Sequence, residues 1–298
     1  MATSTSSICI RPRYVLRARN FAIKLGAETK IMGIINMTPD SFSEDGCLKR
    51  KPGISSALHL AERQIKEGAD ILDVGGESSR PGSKPIPLAE EIKRVIPVVQ
   101  YLTKNFRIPV SVDTYKAEVA ERALDAGASI INNIHGAAPD QALLRLVKNY
   151  KAAIVLMHMR KTPATMQKNI FYKSVVKEIM AQIKRAMENC LEMGIKLDRI
   201  IVDPGIGFGK TVNHNLEIIY QLKSFQKLNC PILIGASRKS FIGKILDKDV
   251  HNRLLGTAAT VSASILNGAH IVRVHDVAAM KEIVDMTDAI LNHDLKNL

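Results

Sequence analysis

Short apolar runs alternate with longer amphipathic segments along most of this 298-residue chain. The runs are rich in β-branched residues and apolar on both faces, which is typical of parallel strands buried beneath helices. Between the runs, apolar residues recur at helical spacing, which predicts a helix after each strand, among them residues 216–226 after the sixth strand and 253–266 after the seventh. We predict strands at residues 31–35, 71–74, 110–112, 130–131, 153–157, 200–202, 232–234 and 271–272.

This alternation indicates the fold class. Strand–helix units specify a parallel sheet, and eight of them are the number that closes an α/β (β/α)8 TIM barrel of about 250 residues. An open doubly wound sheet is the alternative, because a repeat pattern alone cannot show closure. No linker or low-complexity segment divides residues 14–298, which we interpret as one domain.

The N-terminal residues follow a different pattern. Residues 14–25 alternate apolar and polar positions and end in Gly26, which predicts a β-hairpin. Residues 1–13 would form a short flexible tail. The first 30 residues are rich in Ser, Thr and Arg, a composition that is typical of organelle transit peptides. The part ahead of the hairpin is short for such a signal, so we expect a cytoplasmic protein, with organelle targeting as the alternative.

Composition narrows the range of partners. The net charge of +13 suits anionic ligands or a solvated basic surface. Aromatic residues make up only 4% of the chain, too few for a base-stacking platform, so we expect no nucleic-acid partner. No apolar run approaches the roughly 20 residues that span a bilayer, and no membrane association is expected. The four cysteines lack C-x-x-C spacing, which indicates neither a disulfide framework nor a zinc site.

Polar residues follow the predicted strands, at the positions where TIM barrels carry their active sites. They are Asn36, Asp113, Asn132, Asp203, Lys239, Arg273 and His275. Each alone has an ordinary explanation as a helix cap, a solvated charge or a structural histidine. Together they indicate a ligand with two ends, an uncharged ring that donates to carboxylates and an anion bound after the last strand. Asn36 supplies an oxygen of the kind that Mg²⁺ accepts beside a phosphate.

A glycine-rich stretch comes directly after Asp203 and contains Gly205, Gly207 and Gly209. Such a loop lets a planar ligand lie against backbone. Its spacing fits neither the phosphate-binding P-loop nor the dinucleotide fingerprint. The alternative is a strand-to-helix turn in which Asp203 caps the following helix.

Two long loops, at residues 37–52 and 78–87, follow the first two strands. Both are rich in Ser, Gly and Pro and both carry charge, which favours mobile lids over ordinary surface loops. Asp40 and Arg80 could pair only when both lids close.

Seven ordered segments at these strand ends resemble the dihydropteroate synthases. They are residues 36–42, 75–82, 111–114, 130–132, 203–210, 237–243 and 273–276. The resemblance implies a transferase of folate biosynthesis that joins 6-hydroxymethyl-7,8-dihydropterin diphosphate to 4-aminobenzoate, giving 7,8-dihydropteroate and diphosphate. It also implies Mg²⁺, a cytoplasmic homodimer and binding of sulfonamides, which imitate 4-aminobenzoate in that family.

The same resemblance assigns roles to individual residues. The pterin would be bound by Asp113, Asn132, Asp203 and Lys239. The diphosphate would be bound by Asn36, Ser79, Arg80, Arg273 and His275, with Mg²⁺ at Asn36. The 4-aminobenzoate would be bound by Phe208, Lys239 and Ser240. The catalytic residues would be Asp40, Arg80, Lys239, Arg273 and His275.

These assignments favour dissociative substitution, in which Mg²⁺, Arg273 and His275 neutralise the departing diphosphate. The arylamine is already a free nucleophile, so no strong general base is needed. Residues 44–47 of the first lid depart from the family pattern, and Asn133 stands where the family usually has Asp. A pterin-binding methyltransferase acting on methyltetrahydrofolate and an inactive pterin-binding paralogue are the alternatives.

Overall fold

A computed structural model describes residues 11–37, 54–80, 82–134 and 139–293. The strands in these ranges are β1 (Tyr14–Ala18), β2 (Phe21–Leu25), β3 (Lys30–Asn36), β4 (Ile71–Gly75), β5 (Val110–Asp113), β6 (Ile130–Asn133), β7 (Ala153–Met157), β8 (Ile200–Asp203), β9 (Leu233–Ile234) and β10 (Ile271–Val274). The α-helices are α1 (Ile54–Lys66), α2 (Leu88–Asn105), α3 (Ala117–Asp125), α4 (Gln141–Asn149), α5 (Val175–Glu192), α6 (Val212–Tyr220), α7 (Ser240–Leu246), α8 (Leu254–Leu266) and α9 (Val277–Leu291).

Strands β3 to β10 form one parallel eight-stranded sheet. Each strand from β3 to β7 pairs with the next along the chain, and β10 pairs with both β3 and β9. The last seam, between β8 and β9, is joined by a parallel bridge between Val202 and Ile232. The Val202 N–H also donates to the Pro231 carbonyl at 3.0 Å. The sheet therefore closes, and the predicted TIM barrel is confirmed over the open doubly wound sheet.

The predicted N-terminal hairpin is also confirmed, since β1 and β2 pair antiparallel. Leu16 and Leu25 are buried in one apolar cluster with Met32, Ile71 and Ile271, which lie in the first halves of the barrel strands. The hairpin therefore covers the amino-terminal end of the barrel. The hairpin does not cover the opposite end of the barrel, where the strands end in polar residues.

Packed structure begins before residue 14, where the sequence predicts the domain to start. Arg11 is 4% exposed and lies at the same end of the barrel as the hairpin. Its guanidinium donates to the Thr29 hydroxyl at 2.6 Å, to the Ala269 carbonyl at 2.7 Å and to Asp288 at 3.1 Å. These bonds join the start of the described chain to the last helix, α9.

The helices surround the barrel and bury their apolar faces against its strands. Helix α6 begins earlier than the pattern predicts, because the Thr211 side chain caps it by accepting the His214 N–H at 3.2 Å. Helix α7 occupies part of a segment in which the pattern predicts no helix. None of the described helices combines the length and the apolar character that a membrane crossing requires.

Candidate active site

A cavity of about 460 Å³ opens at the carboxyl ends of the barrel strands. Most of the predicted site residues line it, namely Asn36, Ser79, Arg80, Asp113, Phe208, Lys239, Ser240, Arg273 and His275. Asn132 and Asp203 lie at the ends of β6 and β8, the two strands that flank β7, and are almost fully buried. Asp40 falls outside the described residues. The strand-end residues of the sequence are thus brought to one end of the barrel.

Arg273 lies on β10 and reaches across the barrel to two carboxylates. Its Nε lies 2.6 Å from Oδ2 of Asp73, and its Nη2 lies 3.1 Å from Oδ2 of Asp113. Asp73 is fully buried on β4 and also accepts a hydrogen bond from Nδ2 of Asn132 at 3.0 Å. One buried carboxylate therefore connects a residue predicted to bind diphosphate with a residue predicted to bind pterin.

Burial raises the pKa of both carboxyl groups that are predicted to bind the ring. The pKa of Asp113 rises to about 7, because burial is only partly opposed by Arg273 and is reinforced by Asp73. Burial raises the pKa of Asp203 to about 6, against the Gly205 N–H, which donates to Oδ1 at 2.7 Å, and the charge of Lys239. Perturbed carboxyl groups at the end of a barrel are typical of a functional site.

The segment from Asp203 to Lys210 takes a conformation that only glycine permits at several positions. Gly205, Gly207 and Gly209 have φ values of +71°, +85° and +65°. A Cβ on Gly205 would lie 1.9 Å from the carbonyl oxygen of His158, so no larger residue fits. Because Thr211 caps α6, the alternative in which Asp203 caps that helix is wrong.

Lys239 and Phe208 face each other at the mouth of the cavity. The Lys239 Nζ lies 4.0 Å from the centroid of the Phe208 ring, within the range of a cation–π contact. Burial and the charge of Arg273 lower the pKa of Lys239 to about 8, and the charges of Asp203 and Asp113 oppose this shift. Phe208 packs with the buried Met157, Met159 and Met166, which give this side of the site an apolar wall.

The turn ahead of Lys239 is held by ion pairs and backbone bonds. Arg238 has a φ of +57°, a left-handed conformation that is uncommon outside glycine. Its guanidinium forms a bidentate pair with Asp276 at 3.0 and 2.5 Å. Its carbonyl accepts a hydrogen bond from Arg253 at 3.0 Å. These contacts fix the turn from which Lys239 and Ser240 reach the cavity.

His275 lies beside Ser237, with its Nδ1 3.0 Å from the Ser237 hydroxyl. Burial and the positive charges of Arg273, Arg238, Lys239 and Arg80 together lower the pKa of His275 to about 3. With these cations around it, the imidazole is neutral at pH 7. It can bind an anion as a neutral N–H donor.

The second loop is attached to the barrel at several points. The Lys116 Nζ lies 2.7 Å from Glu77 and 2.6 Å from Glu91 and donates to the Ile86 carbonyl at 2.9 Å. Farther along, the Gly82 N–H donates to the Pro163 carbonyl at 3.1 Å. The described part of this loop is thus anchored at both of these places, which does not fit a freely mobile lid. Most of the first predicted lid lies outside the described residues.

The chain is similar to known proteins over most of its length. A family model described as a pterin binding enzyme matches residues 32–275. A dihydropteroate synthase of Synechocystis sp. is 44% identical over 266 residues, which covers 89% of this chain and 91% of that protein. This chain belongs to the dihydropteroate synthase family. Family membership makes it a transferase of folate biosynthesis.

Solved dihydropteroate synthases share the whole fold. The Yersinia pestis enzyme, in a complex with a sulfonamide drug, superposes with a TM-score of 0.88 at 35% identity and covers 94% of this chain and 100% of that one. The Xanthomonas albilineans enzyme, with 4-aminobenzoic acid, has a TM-score of 0.86 at 34% identity and covers 95% of this chain and 100% of that one.

The cavity fits the Mg²⁺ that the dihydropteroate synthase resemblance implies. Among the residues that the structure describes, no cluster of three or more His, Cys, Asp or Glu side chains could cage a metal ion. Asn36 lines the cavity and offers one amide oxygen. Mg²⁺ is commonly held by one or two protein ligands together with substrate phosphates and water. A single neutral oxygen beside an anion site fits that mode of binding.

Three side chains of this dihydropteroate synthase site do not follow from the strand-end pattern. Asp73 lies inside β4, and a charged residue within an apolar run was the signal that could have identified it. Lys210 is only 4% exposed and bonds to His158, but nothing in the sequence distinguishes it from a surface lysine. Met166 lines the cavity from a loop, where no periodicity predicts its direction.

Proposed function

We propose that this chain condenses 6-hydroxymethyl-7,8-dihydropterin diphosphate with 4-aminobenzoate, giving 7,8-dihydropteroate and diphosphate. The observation that carries the proposal is a cavity lined both by Asp113, an acceptor for a neutral ring, and by Arg80 and Arg273, cations for a leaving anion. The Arg273–Asp73–Asn132 contacts join these two halves. Membership of the dihydropteroate synthase family supports the same reaction.

The pterin ring would lie against the buried polar groups. Its amino and N–H groups would donate to the carboxylates of Asp113 and Asp203, while Asn132 can both donate and accept. Lys239 would donate to an acceptor edge of the ring. Because Asp113 has a pKa of about 7, its carboxylate form is present at neutral pH and declines as the pH falls.

The diphosphate would lie between Arg273, Arg80, Ser79 and His275. Arg273 offers a planar set of donors that suits phosphate oxygens, and its pKa is raised, since burial is outweighed by Asp73 and Asp113. His275 would contribute an N–H without a charge. A Mg²⁺ ion held at Asn36 would supply further positive charge to the leaving group.

The reaction follows from this distribution of charge. The C–O bond to diphosphate breaks, its electron pair leaves with the diphosphate, and the positive charge on the methylene spreads into the pterin ring. The nitrogen of 4-aminobenzoate then forms the C–N bond and loses one proton, which leaves a neutral secondary amine. An aromatic amine is unprotonated at neutral pH, so no strong base is required. The apolar wall around Phe208 would keep water from the cation.

The 4-aminobenzoate would lie against Phe208, with its carboxylate near Lys239 and Ser240. The solved relatives bind a sulfonamide drug and 4-aminobenzoic acid, and we expect this chain to bind both at that place. A ring over Phe208 gains apolar contact, while Lys239 supplies the opposite charge for the carboxylate.

The proposal includes a cytoplasmic homodimer. Helices α6, α7 and α8 pack beside one another and expose large apolar side chains, among them Tyr220 at 81%, Ile245 at 50% and Leu255 at 82%. Such a cluster is typical of an interface. The buried free thiols of Cys190 and Cys230 are typical of a reducing compartment and support the location.

The proposed function is tested by supplying purified protein with dihydropterin diphosphate, labelled 4-aminobenzoate and Mg²⁺, and by following labelled dihydropteroate. The Arg273→Ala variant should lose about 100- to 1,000-fold in kcat, as expected when one group that stabilises developing charge is removed. The exposed Arg145 lies on α4, away from the cavity, and Arg145→Ala is the matched control.

A wild-type protein that forms no labelled product would overturn the proposed function. Near-normal kcat in a folded Arg273→Ala variant would leave the reaction in place but remove the assigned role of Arg273. Thermal unfolding of each variant separates these outcomes from loss of structure, since Arg273 also neutralises two buried carboxylates.

A further inference from the structure

The glycine-rich loop is held by a buried lysine to which none of the roles above is assigned. The Nζ of Lys210 lies 2.9 Å from the Phe208 carbonyl, 3.0 Å from Nδ1 of His158 and 3.4 Å from the His158 carbonyl. These three acceptors match the three N–H donors of an ammonium group. Lysine is seldom buried unless its charge is satisfied in this way, so the arrangement indicates a specific task.

His158 provides a fixed acceptor for that ammonium group. The imidazole is fully buried, and its pKa is lowered to about 2 by burial and by the charge of Lys210. A neutral imidazole carries one proton, and the nitrogen that faces an ammonium must be the acceptor. Nδ1 of His158 therefore accepts the hydrogen bond when Lys210 is charged, and because burial lowers the pKa of Lys210 to about 7, the charged form is present at neutral pH and increases as the pH falls. Its position is set by the barrel, since His158 directly follows β7 and its N–H donates to the Asp203 carbonyl at 2.9 Å.

Further bonds hold the remaining carbonyl and N–H groups of the loop. The Tyr172 hydroxyl donates to the Gly209 carbonyl at 3.0 Å, and the Gly207 N–H donates to Asn215 at 2.7 Å. Lys210 completes this set by binding the carbonyl of Phe208 itself. The backbone of Phe208 is thereby fixed through its carbonyl. On the side chain, the Nζ of Lys239 lies 4.0 Å from the centroid of the ring.

We propose that Lys210, seated on His158, is a positioning residue that aims the Phe208 ring at Lys239 and so shapes the 4-aminobenzoate end of the cavity. Lys210 itself does not line the cavity. It acts through the backbone of the loop. The identity of the ligand at that end rests on the proposed function, whereas the role of Lys210 in the loop does not.

The loop can be observed without any assay of activity. The chain contains no tryptophan, so Phe208→Trp introduces a single tryptophan at the position in question, which can be excited selectively over the tyrosines. We expect acrylamide to quench this fluorophore more strongly when Lys210→Met is added, because the loop loses its anchor and the ring moves toward solvent. Lys223 is exposed and lies in the 3₁₀-helix Leu222–Leu228. Lys223→Met is the matched control and should leave the quenching unchanged.

The same substitution should change the KM values of the two substrates unequally. In the Phe208 background, Lys210→Met should raise the KM for 4-aminobenzoate about tenfold, the change expected from loss of one hydrogen bond to a charged group. The KM for dihydropterin diphosphate should change less, because Lys210 bonds to the backbone of Phe208. Thermal unfolding reports whether the variant is folded, and a merely structural role would not move one KM alone.

A second pair of variants covers the case in which Lys210→Met does not fold. His158→Asn keeps an acceptor near the place of Nδ1, whereas His158→Leu removes it. We expect His158→Asn to retain wild-type quenching and KM values. We expect His158→Leu to show the stronger quenching and the higher KM for 4-aminobenzoate that are predicted for Lys210→Met. Equal behaviour of the two, or a folded Lys210→Met variant with unchanged quenching and KM, overturns the proposal. If neither the wild type nor any variant forms dihydropteroate, the proposed function fails, and the quenching experiment still decides the role of Lys210.

Discussion

The carboxylate of Asp73 connects the two halves of the site. Its Oδ2 accepts hydrogen bonds from Arg273 at 2.6 Å and from Asn132 at 3.0 Å. Its Oδ1 is buried and has no hydrogen-bond partner in the described part of the chain. Leaving a buried carboxylate oxygen unsatisfied is unfavourable for folding. The presence of Asp73 at this position is therefore better explained by its orientation of Arg273 and Asn132 than by a contribution to folding stability.

We predict that Asp73→Asn lowers kcat/KM for dihydropterin diphosphate about ten- to hundredfold, because a charged acceptor of two hydrogen bonds is lost. The pH dependence should change as well. Burial raises the pKa of Asp113 to about 7, and the charge of Asp73 contributes to that rise. Asp113 must be ionised to accept from the ring, so activity falls as the pH drops below its pKa. Removing the Asp73 charge should move this acidic limb to lower pH.

Asp70→Asn is the control, since Asp70 precedes the same strand and binds the Ile31 N–H at 2.8 Å at the other end of the barrel. Its pH–rate profile should coincide with that of the wild type. An acidic limb that stays in place in Asp73→Asn would show that Asp73 does not act on Asp113.

At the scale of single residues, the sequence predicts where site residues lie better than it predicts their contacts and protonation states. The strand-end rule selects Asn36, Asp113 and Arg273 because the last residues of barrel strands reach the same mouth. It cannot select Asp73, whose importance comes from a contact across the barrel. It also cannot give the protonation of His275, because the pKa depends on burial, on Arg273 of the strand that His275 follows and on cations from two other segments.

Among the connecting elements, the second loop depends on a charge cluster at its base. Lys116 lies between Glu77 and Glu91, whose side chains are 14% and 1% exposed. The Thr114 hydroxyl also donates to Glu91 at 2.7 Å. The loop that carries Ser79 and Arg80 is thus attached to the barrel through an ion-pair network rather than through apolar packing.

We predict that Lys116→Met destabilises the protein by about 2–4 kcal/mol, because two carboxylates with little solvent contact lose their shared counter-charge. Burial lowers the pKa of Lys116, but bonds to Glu77 and Glu91 outweigh it and raise the pKa above 10.5. A raised lysine pKa contributes stability that is fully present at neutral pH and is lost as the pH rises through the folded-state value. Urea unfolding at pH 7 and pH 11 measures both effects.

The exposed Lys104 on α2 is the matched position, and Lys104→Met should leave the free energy of unfolding nearly unchanged at pH 7. Combining Lys116→Met with Glu91→Gln should recover part of the loss, since the double variant buries one charge fewer. Equal stability of Lys116→Met and wild type would show that the carboxylates are satisfied without Lys116.

The regular elements are predicted well, and the irregular ones are not. Strand runs such as that of β8 are recognisable because both faces are buried. Helix α7 was missed because its seven residues are too short for an apolar stripe to stand out from the preceding turn. Helix α6 is followed by the 3₁₀-helix Leu222–Leu228. The sequence pattern does not separate these two elements and predicts one helix, at residues 216–226, that begins later than α6.

The whole molecule separates stability from function along the barrel axis. The hairpin and the Arg11–Asp288 ion pair close the amino-terminal end of the barrel, where the contacts are buried and partnered. The carboxyl end holds Asp113 and Asp203, whose pKa values are raised by burial, and the Oδ1 of Asp73, which is buried without a partner in the described part of the chain. The barrel could be predicted from the strand count, but its closure depends on the pairing of Val202 with Ile232, which no local pattern contains.

The helices on one side of the barrel lead to a prediction about assembly. Leu255 on α8 is 82% exposed and lies beside α6 and α7, whose own apolar residues are exposed as well. If a second copy covers this face, Leu255→Glu places a charge in the interface once from each subunit. Loss of two central apolar contacts should then raise the dissociation constant of the dimer at least about a hundredfold. Sedimentation velocity across a concentration series measures this change.

Leu88→Glu is the matched control, because Leu88 is 38% exposed at the start of α2, the helix that connects β4 and β5 on the opposite side of the barrel. It adds the same charge to the surface and should leave the dimer intact. If both variants sediment as the wild type does, the face of α6, α7 and α8 is not the interface. If the wild type is a monomer at every concentration, the homodimer itself is excluded, and the exposed apolar side chains need a different partner.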